Sequence, residues 1–151
     1  SLAHEWFHAL DHYLADKAFQ GVSSGTFASR AWLDDTPAVA HPLNDRLMAC
    51  FRQIMLSEDA LEGSALFKVS ARMDEQLRTQ YYSRPEELCA RAFEAFVQDR
   101  APGSAFLVKG TKRSREAQLG LYPTGSQRQR INTAFEQYFH GLGAALWREI
   151  S

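Results

Sequence analysis

Five residues near the start of the chain, His4-Glu5-Trp6-Phe7-His8, combine two metal-binding imidazoles with a carboxylate. On an α-helix of 3.6 residues per turn, His4 and His8 stand one turn apart, roughly 6 Å along the axis. Both rings then leave the same face and can share one Zn²⁺ at about 2.0–2.1 Å each. Glu5, one position round from His4, can bring its carboxylate to a metal-coordinated water, which makes it the candidate general base. Asp11 lies on the same stripe, three residues after His8. From there it can accept a hydrogen bond from the outer ring nitrogen of a ligating histidine and fix its tautomer.

A catalytic zinc ion normally takes three protein ligands, and this stretch supplies two. His12 is excluded by distance, being about 12 Å from His4 along a straight helix. The longer HExxHxxGxxH spacing fails as well, with Asp at 11 and Leu at 14. The third ligand must therefore come from another helix. Ser83-Arg84-Pro85-Glu86-Glu87 reads as the start of one, with Ser83 as N-cap, then a proline and two acids in the first turn. Glu86, Glu87 and Glu94 are the candidates. A competing arrangement makes Glu87, Arg91 and Glu94 a ladder of ion pairs on the helix surface, in which Glu87 binds no metal. Tyr81 and Tyr82, just ahead of this helix, are candidate donors to a developing oxyanion. Tyr82 is the slight preference.

These residues need a frame. The chain of 151 residues suffices for one domain with a real core, and 45% hydrophobic with 23% charged residues is ordinary for a globular protein. Apolar spacing predicts helices over 2–15, about 45–57 with Asn44 as N-cap, about 70–78, 84–99 and 126–148. Phe67, Val69 and Ala71 alternate briefly, as a short strand would. Residues 26–42 look irregular, with Trp32 anchoring them to the core. Residues 104–123 read as a loop holding a short extended piece at Ala105–Val108 and a solvated basic run of Lys109, Lys112, Arg113 and Arg115. The expected architecture is mainly α, four or five helices with little or no β-sheet. The 2–15 and 84–99 helices should face each other across the metal, braced by the aromatic stripe of the last helix.

A net charge of −1 gives no field favouring nucleic acid or anionic membrane, and no apolar run is long enough to span a bilayer. Cys50 and Cys89 have no metal-binding spacing; two buried free thiols suit a reducing, cytoplasmic setting.

Three stretches carry a resemblance in order. They are His4-Glu5-x-x-His8-Ala9-Leu10-Asp11-x-Tyr13, the run Tyr81 to Glu94, and Tyr122-Pro123-x-Gly125-x-x-Arg128-x-x-Ile131-x-x-Ala134-Phe135. Together they resemble the large polyvalent protein-associated domain of type one, a zincin-like family of phage and conjugative-element proteins with a gluzincin-type site. The catalytic domain of anthrax lethal factor is a more distant likeness. The resemblance spans nearly the whole chain and implies Zn²⁺ held by His4, His8 and Glu87. It further implies Glu5 as base and Tyr82 at the oxyanion, with Asp11, Arg91 and Glu94 around the ligands. Arg91 stands where the lethal factor pattern has an acid. A zincin also carries a β-sheet ahead of its HExxH helix, and only three residues precede His4 here. The implied function is hydrolysis of a protein or peptide substrate, as a peptidase or as a delivered effector. The alternative is a non-catalytic or metal-free interaction module of a larger mobile-element protein.

Overall fold

A computed structural model describes residues 1–23, 25–101 and 110–150, except for the side chains of Trp147, Glu149 and Ile150. It is mainly α: the described residues form seven helices and no sheet. Two isolated antiparallel bridges, Phe19 with Ala38 and Leu56 with Gly63, are the only β pairings among them. The five long helices are the expected ones with shifted ends. They are α1 (Leu2–Ala18), α3 (Pro42–Met55), α4 (Ala65–Leu77), α5 (Pro85–Arg100) and α7 (Gly125–Ile150). Two short helices are added, α2 (Ala28–Leu33) and α6 (Arg115–Gln118).

The shifts have local causes. Residues 26–42 are not wholly irregular: α2 forms because Ala28, Ser29 and Ala31 are small enough to bury against α1 and α5. Trp32 reaches the core as expected, its ring 6.3 Å from that of Phe51. The helix expected from Asn44 starts earlier. Pro42 takes its first position and the His41 ring accepts the amide of Leu43 at 3.0 Å, while Asn44 donates to the Val39 carbonyl. The alternation at residues 67–71 is not a strand. Ser64 caps α4 by accepting the Phe67 amide, and Leu66, Ser70 and Asp74 then line one buried stripe at four-residue intervals. The extended piece at 105–108, and Lys109, lie outside the described residues. Of the basic run, Lys112 pairs with Asp99 at 3.2 Å, and Arg113 and Arg115 are exposed.

Helix α5 is the axis of the molecule. It touches α1, α2, α3, α4 and α7, and every residue from Glu87 to Ala95 is buried. Neighbours on all sides explain its composition: Cys89, Ala90, Ala92 and Ala95 are small, letting backbones approach closely. Cys50 and Cys89 are free and fully buried, as expected. The last helix packs on α3 and α5, and its Phe135 and Phe139 stack with Phe93 and Phe96 of α5 at 5.4–6.1 Å between ring centroids. Phe7 and Trp6 of α1 join the same aromatic cluster. The brace expected from the aromatic stripe is therefore present. It sets the distance between α1 and α5, and so the spacing of the polar side chains interleaved with these rings, His4 and His8 on α1 and Glu94 on α5.

Candidate metal centre

At the start of α1, Ser1 accepts the His4 amide at 3.3 Å and begins the helix. His4 and His8 lie one turn apart with ring centroids 4.7 Å from each other. Facing them, the first turn of α5 presents Glu87. Its Oε2 is 3.0 Å from His4 Nε2 and its Oε1 is 3.0 Å from His8 Nε2. The facing nitrogens and carboxylate oxygen lie within 4.8 Å of one another. Two turns further along α5, Glu94 Oε1 is 2.6 Å from the other ring nitrogen of His4. The Tyr122 hydroxyl in turn donates to Glu94 Oε2 at 3.4 Å. The surface ladder is not formed: Glu87 and Glu94 turn to histidines, and Arg91 bonds elsewhere. Glu86 turns the other way, accepting from Arg30 of α2 at 3.4 Å.

Burial opposes charge on all three partners, and the contacts overcome it. Burial lowers the His4 pKa, yet its hydrogen bonds to Glu87 and Glu94 raise it to about 9. Glu87 is penalised by burial but held well below the usual carboxylate range by His4 and His8. Glu94 is lowered too, against its burial, by His4. His4 thus lies as an imidazolium between two ionised carboxylates; a divalent cation on His4, His8 and Glu87, with neutral imidazoles, would take over from that proton.

Donor type fits zinc. Two imidazoles and one carboxylate are a set found at catalytic zinc sites, and ligands of a tetrahedral ion stand roughly 3.3 Å apart. The two 3.0 Å separations involve different oxygens of Glu87, and the set of one atom from each residue spans up to 4.8 Å, so an ion would have to draw the ligands together. Glu94 on the outer nitrogen of His4 is the carboxylate–histidine arrangement that orients metal ligands.

The centre opens on a cleft of ≈ 280 Å³ lined by Glu5, Tyr81, Tyr82, Arg91, Glu116 and Tyr122, together with Ser1, His4 and Glu94. Glu5 is exposed along it. Tyr81, rather than the preferred Tyr82, has its phenol against Glu87; burial and that carboxylate push it up to about 12. The Tyr82 ring lies 5.6 Å from the Arg91 guanidinium. Asp11 does not bond His8. Its carboxylate accepts the Ser29 amide at 2.8 Å and the Ser29 hydroxyl at 2.6 Å, fastening α2 to α1. Burial outweighs those bonds and pushes Asp11 up to about 6. His8 Nδ1 is buried without a partner among the described residues. His12 stays apart, its ring 6.0 Å from that of Phe27. Sequence reasoning missed Glu116 and the Glu94 contact of Tyr122. Tyr122 was visible only within a motif shared with a family, and Glu116 carried no signal.

Residues 73–146 match the family model of the large polyvalent protein-associated domain 1. The match takes in Glu87, Glu94, Tyr81 and Tyr122 and stops short of the HExxH helix. No curated protein and no solved structure matches the chain. Among the described residues, no helix is long and apolar enough to cross a membrane.

Proposed function

We propose that the domain is a zinc-dependent metallopeptidase acting on protein or peptide substrates, with His4, His8 and Glu87 as ligands. One observation carries the reading: three ligand atoms from two helices converge, and one of the ligands, His4, lines an open cleft together with the exposed Glu5. A zinc ion, when bound there, lowers the pKa of a coordinated water to about 7 and polarises a carbonyl. The chain's own residues do the rest. Glu5 takes a proton from the attacking water and returns it to the leaving amine. Glu94 accepts from His4 Nδ1, so that Nε2 is left free to ligate and the ring cannot turn. The Tyr81 hydroxyl, released from Glu87, is the donor to the developing negative charge.

The test is metal analysis of the purified protein together with Glu5→Gln. About one zinc per chain is expected, retained in Glu5→Gln, with turnover of a peptide library lower by at least ~100-fold. Equal cleavage by that variant removes Glu5 as base. A folded wild type that takes up no zinc removes the peptidase reading and leaves the metal-free interaction module.

A further inference from the structure

Between α4 and α5 the chain runs without regular structure and carries two of the three tyrosines of the cleft. Its course is set by two buried charges. Asp74, near the end of α4, accepts from three successive amides: Tyr81 at 3.2 Å, Tyr82 at 2.8 Å and Ser83 at 2.8 Å. It also accepts the Ser83 hydroxyl at 2.6 Å. Ser83 is thus occupied with Asp74 and does not cap α5. Arg84 takes the cap position in the extended conformation that a following proline favours. Arg91, on the second turn of α5, donates through Nη2 to the Tyr82 carbonyl at 2.7 Å and to Ser70 Oγ at 2.9 Å. Its Nε donates to the Leu121 carbonyl at 2.7 Å, one residue before Tyr122.

The two side chains have opposite charge and are 6% and 4% exposed, yet they form no ion pair with each other. Each gives its hydrogen bonds largely to the main chain of a segment whose next side chain enters the cleft. Burying a charge costs several kcal/mol unless it is well bonded, so this placement is expensive for a mere loop. Arg91 Nη1 also has no partner among the described residues, although Arg91 lines the cleft.

We propose that Asp74 and Arg91 are positioning residues that clamp the 81–83 and 121–122 segments and so hold Tyr81 and Tyr122 over the metal centre. The functional half of this rests on the metallopeptidase reading; the clamp itself does not. Asp74 uses both oxygens as acceptors. Asparagine has one oxygen and would set its NH₂ against amide hydrogens, so Asp74→Asn releases the segment while keeping the volume.

The experiment has two arms. In the metal-free protein, Asp74→Asn should speed amide exchange at Tyr81, Tyr82 and Ser83 at least tenfold relative to amides of α5. Uniform acceleration, or none at these three, overturns the clamp. Should Asp74→Asn not fold, Ser83→Ala serves, with a smaller acceleration confined to the same amides. In the zinc-loaded protein, a dipeptide hydroxamate is the probe. Tyr81→Phe and Asp74→Asn should each weaken its binding at least fivefold with zinc content unchanged. The double variant should be no weaker than the poorer single one, because both changes remove the same interaction. Additive losses, or hydroxamate binding unmoved by Asp74→Asn, overturn the positioning role. A wild type without zinc sinks the peptidase reading instead, and the exchange arm still decides the clamp.

Discussion

Helix α5 carries two buried polar clusters, and they differ in one respect. In its first half and middle, Glu87 and Glu94 pair with imidazoles and accept from the hydroxyls of Tyr81 and Tyr122. At its end, Asp99 faces a guanidinium. Arg128 of α7 holds Asp99 in a two-pronged pair at 2.8 and 2.9 Å and donates to the Ala95 and Pro123 carbonyls and to Thr111. Asn132 adds a bond to Asp99 at 2.7 Å. That cluster contains its own permanent cation and closes on itself. The first sets its two carboxylates against a protonated imidazole; its guanidinium, Arg91, lines the same cleft but gives its hydrogen bonds to the Tyr82 and Leu121 carbonyls and to Ser70. A folding device brings its counter-charge with it, whereas a binding site leaves room for one.

The comparison can be broken by experiment. The largest expected effect is thermal. Zinc at a thousand times its Kd should stabilise the fold by about 4 kcal/mol. That is a rise of roughly 8–16 °C in Tm for a chain of this size. Glu87→Gln should erase the shift and Asp99→Asn should keep it. A shift equal in both variants would place the ion elsewhere.

Next, Asp99→Asn should cost about 1.5–3 kcal/mol in urea unfolding, since it weakens charge-assisted bonds to Arg128. Its pH dependence has a definite sign. Arg128 holds Asp99 below the ordinary carboxylate range. The stabilisation is therefore complete above the unfolded pKa of about 3.9 and is lost as pH falls through the folded value. Metal-free Asp99→Asn should show a flatter acid limb than metal-free wild type; parallel limbs would assign acid sensitivity to other carboxylates. Then Glu94→Gln should weaken zinc binding by about 10–100-fold without removing it, as expected of a group that orients a ligand. Complete loss would instead make Glu94 a ligand. The smallest effect belongs to Lys112→Ala. Its pair with Asp99 is solvent-exposed on the lysine side, so a cost of about 0.2–1 kcal/mol is expected. A larger loss would show that Arg128 alone does not balance Asp99.

Much of this was legible in the residues. The one-turn spacing of His4 and His8 and the proline with two acids opening α5 are local patterns, and the long helices follow from apolar spacing. What escaped depended on partners distant in sequence. Whether Tyr81 or Tyr82 faces Glu87 depends on the path of the 78–84 segment, and that path is set by Asp74, whose own neighbours give no hint of it. Asp11 looked like a partner for His8, but Ser29 of the unforeseen α2 had already taken it. His41 displaced Asn44 as a cap because Pro42 could occupy the first helical position. The match to the large polyvalent protein-associated domain 1 likewise covers 73–146 and not the near-complete span the motifs suggested.

The encirclement of α5 has a kinetic consequence. A helix packed on every side is expected to open only with the whole domain, while the first turn of α1, with Leu2 and Glu5 exposed, is held by fewer contacts and is expected to open more easily. An ion held between the two helices would leave by the α1 side, at a rate set by the opening of that first turn and not by unfolding. Trp6, stacked on Phe93 at 5.3 Å, is the latch on that turn. The dwell time of a metal bound as proposed would then depend on an aromatic contact that never touches it.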